Sequence, residues 1–283
     1  MAIGQLEARC FGERGGVILI GQLLSRRVIL TAIFGLVLVV RLGGLAEAAE
    51  VAVMMPAALT SVYDKVREDF EKQTGHKLIQ VIGPSMGTTP QAIPNRLSRG
   101  EAADVVIMAR GPLDLLAQKN LVIASSETNL ALSAIAMAVK KGAPKPDISS
   151  AAAVRRALLN AKSVGYSDSS SGVYISNQLF KNLGIEKEMA AKSHKIEATP
   201  VAERVADGTY EIGFQQLSEL MPVSGIDIVG LLPDELQLIT TFSVGLAGNS
   251  KSPDAGKALI AYLASPKAHA AITASGLRPA RND

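Results

Sequence analysis

The sequence predicts an α/β protein built from two lobes. Apolar, strand-like segments alternate with segments in which apolar residues recur at helical spacing, which favours sheets covered by helices. Two turns rich in hydroxyl groups, at residues 83–89 and 167–172, follow strands in different halves of the chain. Because ligands bind beyond the carboxyl ends of the strands in such sheets, the two turns predict one site reached from both lobes.

The amino terminus predicts an export signal. Arg26 and Arg27 precede an apolar run at residues 28–40, and Ala46 and Ala48 fit the small-residue positions of a signal peptidase site. The apolar run is too short to cross a bilayer as a helix. We therefore expect residues 1–48 to be a cleaved signal peptide and the mature protein to be periplasmic.

The predicted mature chain is nearly neutral and has no thiol. Residues 1–48 contain five of the 29 basic and three of the 26 acidic residues, so their removal lowers the formal charge from +3 to +1. Nucleic-acid binding then has no electrostatic support. Removal of Cys10, the one cysteine, excludes disulfides and cysteine nucleophiles. Since His76, His194 and His269 lack metal-ligand spacing, we expect no metal and no cofactor.

The first part of the mature chain predicts strands and helices in alternation. Residues 50–55 are typical of a buried strand, and apolar residues at helical spacing follow it as far as Gly75. Residues 76–82 predict the next strand, and Pro90 suits the first turn of a helix after the first hydroxyl-rich turn. Residues 103–109 predict a third strand, which is continuously apolar. This order favours a mostly parallel sheet flanked by helices.

The second part predicts a similar set after a crossing near residues 128–132. Its predicted elements are strands at 130–139, 163–166 and 210–214, helices at 149–160, 173–183 and 200–206, and a final strand at 240–247 with helices at 253–263 and 266–274. The final three elements are expected to pack on the first lobe. We therefore assign residues 49–129 and 240–283 to lobe 1 and residues 130–239 to lobe 2, with two crossings as a hinge.

Several short segments occur in an order that resembles a known family. They are Ala57-Ala58-Leu59-Thr60, Thr74-Gly75, the turn at residues 83–87, Arg99-Gly100 followed by Ala103-Asp104-Val105, Ser171-Gly172-Val173-Tyr174, and residues 208–216. This order resembles the periplasmic solute-binding proteins of ABC transporters, type II fold, and within them the molybdate-binding branch. The resemblance implies two lobes that close over a small anion, and a permease of the inner membrane as partner.

The two turns and the strand that reaches the cleft supply the expected ligand contacts. The candidate ligand-binding residues are Ala58, Ser85, Met86, Gly87, Thr88, Thr89, Arg96, Arg110, Ser169, Ser170, Ser171, Gly172, Val173, Tyr174, Gln215 and Gln216. Arg96 and Arg110 would add bidentate contacts to a carboxylate if they face the cleft, and are otherwise exposed arginines.

Two positions depart from the molybdate-binding pattern. Ala58 and Gln216 stand where that branch usually has a serine and a tyrosine, so each position lacks a hydroxyl donor. A missing donor leaves part of the anion desolvated, at a cost of about 1–3 kcal/mol. Gln215 and Gln216 offer amides that suit carboxylates and hydroxyls. These residues favour a small organic anion, a di- or tricarboxylate, over molybdate.

The sequence leaves more than one function open. The leading hypothesis is a monomeric receptor that delivers a di- or tricarboxylate to an ABC permease. The alternative is an enzyme, because proteins that resemble this branch include an aconitate isomerase, which interconverts cis- and trans-aconitate and needs a base near an acidic carbon. Molybdate-type oxyanion binding and ligand sensing are weaker alternatives. Asp168, beside the second turn, is equally well explained as a helix cap, so the sequence names no catalytic residue.

Overall fold

Two β-sheets, one in each lobe, organise the protein. The computed structural model describes residues 48–197 and 199–281. The predicted signal peptide lies outside these residues, apart from Ala48. Within the two described ranges, no helix has the length and apolar character needed to cross a membrane.

The strands and helices follow one another along the chain much as the periodicity predicts. The strands are β1 (Glu50–Met55), β2 (Lys77–Ile82), β3 (Val105–Ala109), β4 (Thr128–Ser133), β5 (Ile135–Lys140), β6 (Val164–Ser167), β7 (Ser193–Ile196), β8 (Ile212–Gln216), β9 (Ile226–Leu231), β10 (Thr240–Leu246) and β11 (Arg278–Pro279). The α-helices are α1 (Thr60–Thr74), α2 (Ile93–Ser98), α3 (Arg110–Gln118), α4 (Ala151–Asn160), α5 (Ser170–Tyr174), α6 (Phe180–Asn182), α7 (Glu186–Ala190), α8 (Val201–Ala206), α9 (Leu217–Leu220), α10 (Pro253–Leu263) and α11 (Pro266–Ala274). A π-helical turn, Ile175–Leu179, joins α5 to α6.

The predicted two-lobed α/β fold is confirmed, but both sheets are mixed. The first sheet has the order β11-β4-β10-β3-β1-β2, and the second has the order β7-β6-β8-β5-β9. In the first, β1 is parallel to β2 and β3, whereas β10 is antiparallel to β3 and β4. In the second, β6 is parallel to β7 and β8, whereas β5 is antiparallel to β8 and β9. The expectation of mostly parallel sheets was wrong because β5 and β10, which enter each sheet from the other lobe, run against their neighbours.

The chain crosses between the sheets at Ala134. β4 belongs to the first sheet and β5 to the second, and this single residue separates them. β4 thus lies wholly in the first sheet, although the expected division at residues 129 and 130 falls inside it, and the lobe boundaries stay a prediction. Because the residues on both sides of Ala134 are apolar except Ser133, no turn signal in the sequence marks the crossing.

Both faces of each sheet are buried. In β1, Val51, Val53 and Met55 belong to one apolar cluster, and Met54 belongs to another. In lobe 2, the side chains of β5 likewise divide between two clusters. Strands covered on both faces have continuous apolar sequences, which explains why their existence could be predicted from composition alone.

The helices after the two hydroxyl-rich turns begin at other residues than expected. The first begins at Ile93 rather than Pro90, because Thr89 accepts a hydrogen bond from the Ala92 N–H in a separate turn. Pro94 then occupies its first turn. The second begins at Ser170, three residues before the predicted start at 173. Both turns still lie at the carboxyl ends of strands.

Candidate functional site

A cleft lies between the two lobes where the turns meet. It has a volume of about 180 Å³ and is lined by Pro56, Ala57, Ile82, Gly83 and Pro84 from lobe 1 and by Ser167, Asp168, Ser169, Thr199, Pro200, Gln215 and Glu219 from lobe 2. The carboxyl ends of β1, β2, β6 and β8 all lead into it. Residues of both predicted turns therefore line one cavity, whereas its role as the ligand site stays a prediction.

The lobe 1 wall is a tight loop built around Ser85. This side chain is completely buried, and its Oγ accepts a hydrogen bond from the Ala109 N–H at 3.2 Å, which ties the loop to the end of β3. A side chain at Gly83 would overlap the carbonyl of Gln91. Gly87 has φ +117°, and a Cβ there would lie 3.2 Å from the Asp168 carbonyl of the other lobe. The loop thus requires glycine at both positions and touches the opposite lobe.

The lobe 2 wall is the turn after β6. The hydroxyls of Ser167 and Ser171 lie 3.0 Å apart and are buried, so they stabilise the turn itself. A side chain at Gly172 would overlap the Ser167 carbonyl. In contrast, the Oγ of Ser170 is buried and has no hydrogen-bond partner among the described residues. Of the serines expected to bind ligand, Ser169 lines the cleft and Ser170 keeps a free hydroxyl.

A second cavity adjoins the cleft on the other side of the Ser85 loop. It has a volume of about 330 Å³ and is lined by Met86, Ala109, Arg110, Gly111, Ser170, Val173, Tyr174, Gln178, Leu238, Ile239, Thr240 and Thr241. The Tyr174 hydroxyl donates to the Leu236 carbonyl at 2.6 Å and is therefore engaged within the protein. Pro84 and Ser169 line the first cavity, and Met86 and Ser170 the second, so the two cavities are neighbours.

The two candidate arginines have acidic partners within lobe 1. Arg96 pairs with Glu101, and its Nη1 donates to the Ile82 carbonyl at 2.9 Å. Arg110 pairs with Asp114 at 2.6 Å and with Glu127 at 2.7 Å. Arg110 nevertheless lines the second cavity. A ligand contact by Arg110 stays a prediction, whereas the contacts of Arg96 account for it as a structural residue.

The two candidate glutamines have separate tasks. Gln216 is buried; its Oε1 accepts from the Ser133 hydroxyl at 2.7 Å, and its Nε2 donates to the Thr240 hydroxyl at 3.0 Å. These partners lie beside the two chain crossings, so the Gln216 amide joins the crossings instead of facing a ligand. Gln215 lines the cleft, and its Oε1 accepts from the Ala202 N–H at 3.3 Å.

Glu219 is the cleft residue that the sequence reasoning missed. It lies in the first turn of α9, directly after β8, and its half-buried side chain lines the cleft. Burial raises the pKa of Glu219 to about 7, and the nearby Asp168 charge adds to the rise. Hydrogen bonds from the Gln215 side chain and the Gln216 N–H oppose it. Glu219 can therefore both hold and release a proton near neutral pH.

The remaining expected residues occupy the loop, the hinge side and the helix start. Ala58 is buried in a 3₁₀ turn next to Ala57, Thr88 is exposed, Thr89 is half-buried, and Val173 is 37% exposed beside the second cavity. The ligand roles of these residues stay predictions. Within the described ranges, no three His, Cys, Asp or Glu side chains are grouped as metal ligands.

Comparison with known proteins agrees with the lobes and the cleft. The chain matches the family described as bacterial extracellular solute-binding protein over residues 51–278. It is 49% identical over 227 residues to an aconitate isomerase from a Pseudomonas species, across 80% of this chain and 87% of that protein. It is 30% identical over 245 residues to the molybdate-binding protein ModA of Azotobacter vinelandii, across 82% of this chain and 90% of ModA.

Solved structures share the fold at low sequence identity. A periplasmic molybdate-binding protein from Azotobacter vinelandii superposes with a TM-score of 0.67 and 18% identity, covering 82% of this chain and 100% of that one. The fold, the order of motifs and the family match agree over nearly all of the described residues. The chain therefore belongs to the bacterial extracellular solute-binding protein family, in the molybdate-binding-protein-like branch that also includes aconitate isomerase.

Proposed function

We propose that the protein is an exported aconitate isomerase, which interconverts cis- and trans-aconitate in the cleft between its lobes. One observation carries this proposal: two acidic side chains, Asp168 and Glu219, line the cavity between the two lobes. A receptor for an anion gains affinity from hydrogen-bond donors and loses it through repulsion by carboxylates. An isomerase, in contrast, needs a group that takes up and returns a proton.

The chemistry of aconitate fits such a group. Aconitate carries a methylene carbon next to a carbon–carbon double bond that bears carboxylates. Removal of one methylene proton and delivery of a proton to the far carbon of the double bond moves that bond along the three-carbon unit. The product is again aconitate, in either geometry. No oxidant, reductant or other reactant is consumed, so an acid–base residue in a closed cleft suffices.

The donors around the cleft support binding of a polycarboxylate. Ser169 lines the first cavity, and the unpartnered Ser170 hydroxyl and Arg110 line the second. A tricarboxylate that extends across both cavities would meet these donors with its outer carboxylates while its reacting carbons lie near Glu219. Arg110 already pairs with two acids, so its contribution to ligand affinity is partly offset.

A receptor that binds a di- or tricarboxylate without converting it is the second candidate. It is favoured by the hinge, where Gln216 links Ser133 and Thr240 across both crossings, as expected of a protein whose lobes open and close. Export to the periplasm, a permease partner and a monomeric state are further proposals that follow from the family. The isomerase proposal is preferred because a receptor gives Glu219 no task.

Incubation of the purified protein with pure cis-aconitate tests the proposal. We expect the isomer ratio, followed by chromatography, to approach that reached from pure trans-aconitate, at a rate proportional to protein concentration. Calorimetric titration with molybdate and citrate serves as the control for ligand class. Tight binding of aconitate with an unchanged isomer ratio would establish the receptor and exclude the isomerase.

A further inference from the structure

We infer that Glu219 is the catalytic residue that carries the proton in the proposed isomerisation, and that Gln215 is the positioning residue that aims it. This inference rests on the proposed function. It identifies one acid–base group among the two carboxyl side chains of the cleft, and it assigns Gln215 a role other than ligand binding.

The position of Glu219 is fixed by the strand that precedes it. β8 is a central strand, paired with β5 on one side and β6 on the other, and α9 begins directly at its carboxyl end. α9 contacts β5, β8 and β9 and also the lobe 1 segment Ala57–Leu59. Glu219 therefore lies where both lobes line the cleft, on a short element that follows a central strand of lobe 2.

The amide of Gln215 has one allowed orientation. Its oxygen accepts from the Ala202 N–H at the start of α8, which leaves its NH₂ to donate to Glu219. The Gln216 N–H supplies a second hydrogen bond to Glu219. Two donors fix the carboxylate before substrate arrives, and fixed geometry is what proton transfer to carbon requires.

The charges near Glu219 leave it able to exchange a proton. Burial raises the pKa of Glu219, the Asp168 charge raises it further, and the two hydrogen bonds lower it, with a balance at about 7. The lobe 1 segment packed on α9 contains no ionisable residue. On β5 and β9, the residues Lys140 and Asp227 lie at the ends of the strands away from α9. Gly276 approaches Met221, the residue that follows the end of α9, and Arg278 lies two residues after Gly276.

One carboxyl group is then sufficient to remove the substrate proton and to return it. Ionised Glu219 removes a proton from the methylene carbon, and the electron pair of that C–H bond shifts into the allylic unit. Protonated Glu219 returns the proton to the carbon at the other end, where the former double bond ended. Glu219 regains its starting state, and the double bond has moved.

Kinetics of five variants of the full chain test this inference. Glu219→Gln keeps the shape of the side chain but cannot carry the proton, so kcat should fall about 10²–10⁴-fold. The affinity for trans-aconitate, measured by calorimetry, should change by less than about threefold. Glu219→Asp should recover part of the rate. Glu188→Gln, on an exposed residue of the same lobe, is the matched control and should leave both values unchanged.

Gln215→Ala distinguishes positioning from a structural role. Loss of its hydrogen bond should move the pH midpoint of kcat upward from the wild-type value near 7, with kcat reduced more than KM is changed.

Retention of more than a tenth of the wild-type kcat by Glu219→Gln would overturn the inference, as would loss of aconitate binding in that variant. If Asp168→Asn lowers kcat while Glu219→Gln retains it, Asp168 rather than Glu219 carries the proton. A wild-type protein without isomerase activity would refute the proposed function itself.

Discussion

Replacement of Glu219 by glutamine should make the unliganded protein less sensitive to alkaline pH. The folded state raises the pKa of this carboxyl group from 4.5 to about 7, so the folded protein binds the proton more tightly than the unfolded chain does. The stabilisation that results is complete below the unfolded pKa and is lost as the pH rises through the folded pKa. Glutamine has no proton to lose and keeps a constant contribution.

The size of the effect follows from the same two pKa values. Each pKa unit corresponds to about 1.4 kcal/mol, so the full loss of stabilisation in the wild type is about 3 kcal/mol. Between about pH 5 and about pH 8.5, the wild type should lose about 2.5 kcal/mol more unfolding free energy than Glu219→Gln. Comparing the two proteins at both pH values cancels any pH-independent effect of the substitution.

Urea unfolding of both proteins at these two pH values measures this difference directly. The Glu188→Gln control should follow the wild type at both, because that side chain is exposed. If the unfolding free energies of wild type and Glu219→Gln differ by the same amount at both pH values, folding does not raise the pKa of the Glu219 carboxyl group. The reasoning on which its acid–base role depends would then fail.

Two further substitutions test how the lobes are joined. Gly87→Ala should weaken ligand binding about tenfold or more, because its Cβ would lie 3.2 Å from the Asp168 carbonyl when the cleft is closed; unchanged affinity by calorimetry would contradict the contact. Gln216→Ala should lower the unfolding free energy by about 1–3 kcal/mol, because it leaves the buried Ser133 and Thr240 hydroxyls without their partner. A loss of affinity without loss of stability would instead assign Gln216 to the ligand.

Local patterns in the sequence were sufficient to predict the positions of the two turns. Residues 83–89 lie between β2 and α2, residues 167–172 include the end of β6 and the start of α5, and both segments reach the cleft. Their individual hydroxyls were harder to assign, because serines in the same turn differ in what they touch. Ser171 bonds to Ser167, whereas the adjacent Ser170 hydroxyl has no partner among the described residues. Sequence alone does not specify which way each rotamer points.

The proposed acid–base residue could not be predicted from the sequence, because its burial depends on distant parts of the chain. Glu219 begins a short helix, where an acidic residue normally points to solvent and interacts with the helix dipole. It is enclosed here because α9 packs against Ala57–Leu59 of the other lobe, far away in sequence. The usable signal was positional: Glu219 follows β8 by three residues, at the strand end where ligands bind in this fold.

The central claim is that a proton is removed from bound aconitate and returned to it. The most direct test is incubation with trans-aconitate in D₂O, with the methylene and vinylic hydrogens followed by NMR. The account predicts that wild-type protein forms cis-aconitate, and that deuterium enters the methylene position to the extent that protonated Glu219 exchanges with solvent before it returns the proton. Glu219→Gln should do neither while it still binds aconitate. Binding by wild-type protein with no isomerisation and no deuterium uptake would contradict the account and leave a receptor.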